Sequence, residues 1–192
     1  MKTNIIIAGV GGQGILTIAA VIATAAINNN LHIKQSEVHG MSQRGGDVQS
    51  HLRISDTPIA SDLIPLGQAN LIISLEPMES LRYTHYLRPD GWNVTTDEPF
   101  INIPNYPDQT TLRNELNKNP NTTILSLSTI PQTINTNRHA NIILLGAASP
   151  HIDIPRQALE TSIRNLFARK GEDIVAANLA AFAAGYRSVA TP

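Results

Sequence analysis

Gly9, Gly11 and Gly14 stand at G-x-G-x-x-G spacing, with Gly12 and Gln13 between them. They follow the apolar run Asn4 to Ala8 and precede the Ala-rich stretch Ile15 to Ile27. Glycines so placed allow a tight turn and a close backbone approach, and the free N–H groups at the start of the next helix can hold an anion. A second segment, Ser36 to Gly46, reads SEVHGMSQRGG and gathers Glu37, His39, Ser42, Gln43 and Arg44 ahead of Gly45 and Gly46. Paired glycines let backbone and guanidinium reach a carboxylate or phosphate without side-chain obstruction. The residues of the two segments are thus the candidates for ligand or partner binding; none of them is assigned a catalytic role.

The chemistry open to these residues is bounded. Glu37 and His39 on an extended segment point the same way but offer only two ligands, so a metal site is not expected. A hydrolase of the Ser–His–Asp kind needs a G-x-S-x-G elbow, and the chain has none. Cysteine is absent, which rules out disulfides, thiolate metal sites, cysteine nucleophiles and cysteine-ligated iron–sulfur clusters on this chain. A stand-alone NAD- or flavin-binding enzyme of Rossmann type stays open, because Glu37 falls near the place where such folds put their ribose-binding acid. So does a scaffold in which the glycines serve only the backbone.

The 192 residues fit one domain, 1–192, large enough to bury most of its apolar surface. Lys and Arg number 14 against 15 Asp and Glu, so no net field steers nucleic acid or anionic lipid toward the surface. Charged residues are only 15%, against about 25% in ordinary domains, which leaves uncharged surface for a partner. The longest apolar run, Gly14 to Ile27, is short of the roughly 20 residues a membrane span requires and lacks a signal peptide's charged start. A cytoplasmic protein with no membrane association is expected.

Periodicity supplies the frame. Asn4 to Ala8 reads as a buried strand, Ile15 to Ile27 as a buried helix stopped by Asn28 to Asn30, and Leu31 to Gln35 as a second strand, one βαβ unit. Val48 to Ser55 alternates, and its polar set Gln49, His51, Arg53 and Ser55 predicts a solvated or partner-facing side. Leu71 to Leu75 is a further strand. Pro77 opens a helix predicted to run to Leu87 and to close at Pro89-Asp90-Gly91. Strands follow at Trp92 to Thr96 and Thr123 to Leu127, with a short helix at Thr110 to Leu116 between them. Asn141 to Ala147 fits strand or helix. Two helices end the chain, one after Pro155 and one from Asp173 toward Tyr186, separated by Gly171. The order predicts an α/β three-layer sandwich with a mostly parallel, Rossmann-like sheet.

AGVGGQG at Ala8 to Gly14, SEVHGMSQRGG at Ser36 to Gly46, HLRIS at His51 to Ser55 and LEPMESLRY at Leu75 to Tyr83 together resemble the gamma-type subunits of 2-oxoacid:ferredoxin oxidoreductases. The lead-in His-Gly-Met-Ser-Gln to Arg44 is similar to the indolepyruvate branch of that family. Asp47 departs from it, since a small hydroxyl residue commonly follows the paired glycines. That departure sets a negative charge beside Arg44 and is expected to weaken anion binding there. The resemblance implies a non-redox subunit of a 2-oxoacid:ferredoxin oxidoreductase of the indolepyruvate, or arylpyruvate, kind, completing the active site for coenzyme A-dependent oxidative decarboxylation. Thiamine diphosphate, magnesium and iron–sulfur clusters are then expected on a large alpha subunit, no cofactor on this chain alone, and ferredoxin reached through the complex. Homodimer contacts stay open.

Overall fold

The computed structural model describes residues 1–39 and 45–190. Six strands form one sheet in the order β2-β3-β1-β4-β5-β6. They are β1 (Lys2–Val10), β2 (His32–His39), β3 (Asp47–Ser55), β4 (Ala69–Ser74), β5 (Leu87–Thr96) and β6 (Thr122–Leu125). Strands β1, β4, β5 and β6 pair in parallel, whereas β3 is antiparallel to both β1 and β2. The helices are α1 (Ile15–Asn28), α2 (Pro77–Arg82), α3 (Gln109–Leu116), α4 (Thr136–Ala148), α5 (Arg156–Phe167) and α6 (Glu172–Ala190).

Sheet alternation splits β1 between two cores. Ile5 and Ile7 join Leu52, Ile54, Leu71 and Ile73 beneath α1, α4, α5 and α6. Ile6 and Ala8 face a smaller core with Ile64, Ala69, Ile72 and Tyr83. The three layers are therefore unequal: four helices lie on one face, and the short α2 and α3 with the loop before β4 cover the other. Helices α4 and α6 approach most closely at Gly146 and Gly185, where an added methyl would meet the Phe182 and Ile143 carbonyls respectively.

Four expectations change. The βαβ unit is split, because β3 inserts between β1 and the parallel β2. Strand β2 does not stop at Gln35 but runs through Ser36 to His39, so Glu37 and His39 belong to a strand and not to a loop. The polar side of β3 is largely buried within the chain instead of solvated or partner-facing: His51 is 2% exposed and Arg53 7%. Arg53 donates Nε to Asn4 Oδ1 at 3.0 Å and NH1 to the carbonyls of Ser61 and Leu63 at 2.8 and 3.0 Å. His51 Nδ1 accepts from Ile64 N–H at 3.0 Å, and its ring meets Tyr86 edge-on. The loop before β4 thus closes over that face and pairs the buried His51 and Arg53 side chains. Finally, α2 ends at Arg82, and Pro89-Asp90-Gly91 lies inside β5, beside an irregularity in its pairing with β4 between Ala69 and Leu71. A proline-glycine cluster there accommodates a register shift and does not stop a helix. Asn141 to Ala147, open in the sequence, is helical.

His51 accepts through Nδ1, so a proton on that atom breaks the bond to Ile64. Burial, opposed by Asp62 and aided by Arg53, holds its pKa below the ordinary 6.5. Burial does the same to His151, which stacks on Trp92. In the window below 6.5 the unfolded chain takes up protons that the folded one resists, so stability falls as pH falls. Urea unfolding between neutral and mildly acid pH should show this loss, and His51→Gln should flatten the slope. A second test addresses the α4–α6 contact: Gly185→Ala should cost about 1–3 kcal/mol, read as a lower urea midpoint.

Candidate functional site

Strands β1, β4, β5 and β6 end on one edge of the sheet, and the glycine turn lies on that edge. Open α/β sheets usually bind ligands at such carboxyl ends. Gly14 is the N-cap of α1 with φ 87° and ψ 27°, the left-handed region that side chains other than glycine avoid. A Cβ there would also lie 2.5 Å from Asn141 Nδ2, which donates to the Gly14 carbonyl at 3.2 Å. Gln13 braces the turn from within. Its Oε1 accepts from Val10 N–H at 2.7 Å, and its Nε2 donates to the Leu75 carbonyl at 3.4 Å. The side chain of Gln13 is therefore largely committed to the backbone.

The structure brings the two glycine segments together. Gly11 N–H donates to the Gly46 carbonyl at 2.9 Å, and Val10 lies opposite Asp47 in the β1–β3 ladder. Ser42, Gln43 and Arg44 lie outside the described residues. Glu37 is exposed near the end of β2, where Gln35 Nε2 donates to it at 2.6 Å. His39 closes that strand. The carboxylate of Asp47 accepts from the Tyr83 hydroxyl at 3.2 Å. Burial first, then the charge of Asp47, drives the Tyr83 pKa well above its usual value. Asp47, which the sequence sets against Arg44, thus has a phenol for a partner.

Two cavities flank the glycine turn. One, of about 330 Å³, has Gly11, Gly12, Leu16, Glu37 and Val48 in its walls. The other, of about 570 Å³, lies between the turn and the start of α4 and is lined by Gly12, Gly14, Thr96, Phe100, Arg138 and Asn141 among others. Asn135 caps α4 by accepting from Arg138 N–H at 3.2 Å, so that helix directs its free N–H groups and Arg138 toward this cavity. Among the described residues the lining carries one cation, Arg138, and one carboxylate, Glu98. The Thr96 hydroxyl donates to the Leu75 carbonyl at 3.2 Å. Such a lining suits holding a polar or anionic ligand better than making and breaking bonds.

Sequence reasoning missed Arg138, Asn141 and the 97–108 segment that supplies Glu98 and Phe100. Asn135 ahead of a run reaching Ala148 is the signal that identifies the start of α4. The 97–108 segment has no periodicity to find.

A family model described as pyruvate ferredoxin/flavodoxin oxidoreductase matches residues 4–188. The chain belongs to this family. The indolepyruvate oxidoreductase subunit IorB of Archaeoglobus fulgidus is 34% identical over 97% of this chain and 94% of its own length. Its counterpart in Pyrococcus horikoshii is 31% identical over 96% of this chain and 95% of its own length. Among solved structures, the gamma subunit of a keto/oxoacid ferredoxin oxidoreductase from Geobacter sulfurreducens superposes with a TM-score of 0.67 at 23% identity, covering 99% of both chains. The 2-oxoglutarate:ferredoxin oxidoreductase of Magnetococcus marinus, solved with 2-oxoglutarate, coenzyme A and succinyl-CoA bound, gives 0.74 at 22% identity. That match covers 98% of this chain and 31% of the other, so the chain spans about a third of that polypeptide. At such identities the likeness is one of fold. No helix among the described residues is long and apolar enough to cross a membrane.

The Gly14 geometry is directly testable. Gly14→Ala adds a Cβ in a left-handed conformation, at a cost of roughly 1–2 kcal/mol, and displaces Asn141. The variant should melt earlier, with its fastest-exchanging new amides at the start of α1 and α4.

Proposed function

We propose that this chain is the non-redox subunit of a 2-oxoacid:ferredoxin oxidoreductase of the indolepyruvate, or arylpyruvate, type. Its part is to complete the active site for coenzyme A-dependent oxidative decarboxylation, most concretely by holding the acyl acceptor against the partner's reaction centre. The observation that carries the reading is the backbone bond from Gly11 to Gly46, which fuses both family motifs into one surface beside the cavity with Arg138. The near full-length similarity to two IorB subunits favours the indolepyruvate branch.

The donor set fits a division of labour. With no cysteine anywhere, this chain does not fit a cysteine-ligated iron–sulfur cluster, and the described residues include no group of three or more His, Asp or Glu able to hold a metal ion. On a larger alpha subunit thiamine diphosphate, magnesium and iron–sulfur clusters would supply decarboxylation and electron transfer to ferredoxin. This chain's own residues would contribute the N–H groups at the starts of α1 and α4, the Arg138 charge, and a wall that excludes water from one side.

A second reading has one observation in its favour: Glu37 and the glycine turn border a common cavity. Against a stand-alone dinucleotide enzyme, β3 separates the strand of Glu37 from β1. In a dinucleotide fold the corresponding strands are neighbours. Tight NAD or flavin binding by the purified chain, lost on Glu37→Ala, would favour that reading.

Co-expression should yield a complex with a large thiamine- and iron–sulfur-bearing chain, and the isolated chain should turn over neither indolepyruvate nor coenzyme A. In the complex, Arg138→Ala should raise the KM for coenzyme A about tenfold or more, the loss of a charged hydrogen bond worth roughly 1.5–3 kcal/mol. Steady-state kinetics measure it, and an unchanged KM would count against Arg138.

A further inference from the structure

One buried carboxylate is not used by the site as described. Glu76, at the N-cap of α2, is 1% exposed. Its Oε2 accepts from Glu79 N–H at 2.8 Å, which caps the helix. Its Oε1 does something different: it accepts from Phe100 N–H at 3.2 Å and from the Tyr106 hydroxyl. Phe100 and Tyr106 both belong to the strap 97–108, which leaves the end of β5 and rejoins regular structure at the cap of α3, Asp108.

The strap has no helix or strand of its own, carries Pro99, Pro104 and Pro107, and is mostly exposed. Glu98, Pro99 and Phe100 from it form one wall of the 570 Å³ cavity. Its far side touches the second glycine segment, where Asn102 Nδ2 donates to the Gly45 carbonyl at 2.8 Å. A charged acceptor buried away from water holds its donors more firmly than a neutral one. Glu76 is therefore placed to fix the height of the whole strap from below.

We propose that Glu76 is a positioning residue, latching the 97–108 strap so that Phe100 forms a fixed wall for the acyl acceptor and Asn102 holds the Gly45–Gly46 turn. The inference rests on the reading of the cavity as the acceptor's place. Glu76 itself meets no substrate, since its two oxygens are engaged by Glu79, Phe100 and Tyr106. Burial and the bond to Glu76 push the Tyr106 phenol well above its usual range, so the hydroxyl remains a donor throughout the working pH range.

Capping of α2 and latching of the strap use different oxygens, which allows the two to be separated. Tyr106→Phe removes a strap contact and leaves the cap intact; Glu76→Ala removes both. Hydrogen exchange on the whole chain in its complex should show the amides from Glu98 to Ile103 opening roughly tenfold faster in Tyr106→Phe, with α2 unchanged. The same variant should raise the KM for coenzyme A about fivefold while kcat stays within about twofold. Glu76→Ala should add faster exchange in α2; where it fails to fold, Tyr106→Phe decides alone. Unchanged strap exchange in Tyr106→Phe overturns the latch. Faster strap exchange with no change in the KM of any substrate overturns the strap's service to the site, while the subunit reading continues to stand or fall on co-purification and on the inertness of the isolated chain.

Discussion

Because β3 runs antiparallel between β1 and β2, its first residue, Asp47, comes to lie opposite Val10, the last residue of β1, and the turn ahead of β3 is carried to the end of β1. Two sequence segments that are far apart in the chain then share one edge, joined by the bond from Gly11 to Gly46. A parallel neighbour in the position of β3 would have delivered its beginning to the opposite end of the sheet. The candidate site is thus a consequence of strand direction before it is a consequence of any side chain.

That arrangement imposes a second requirement. The polar side of β3 is covered by the loop before β4, and His51 and Arg53 are buried there. The structure meets the requirement with backbone: carbonyls of Ser61 and Leu63 and the N–H of Ile64 descend onto the side chains, and Ile64 itself fills the small core. Glu76 obeys the same logic beyond the end of β4. In both places a buried charged or titratable group holds down a segment with no regular structure, which hydrophobic contact alone would fix less specifically.

Much of this was legible in the residues. The strand, glycine turn and helix of the first third are written in apolar runs and punctuation, and α1, α3, α5 and α6 lie close to where periodicity puts them. Strand order was not legible, because β3 pairs with β1 across a long sequence separation and no local pattern encodes which neighbour a strand takes. The polar side of β3 was misjudged because alternation reads the same whether water or a polar loop covers it. Pro89-Asp90-Gly91 reads as a stop, yet a parallel strand absorbs it through a shift of register. In the site, the glycines announced themselves, whereas Arg138 and the strap acquire meaning only from the packing of α4 and from Glu76.

The central position of β1 also has a consequence for biosynthesis. The ribosome releases β1 before either of its two partners, residues 47–55 and 71–74. Until they emerge the sequence IIIA, Ile5 to Ala8, waits with both of its edges unpaired by β3 and β4. Such long-range pairing slows folding and leaves a nascent chain sticky. Until residue 74 has emerged, β1 is therefore a stretch of the nascent chain that benefits from shelter.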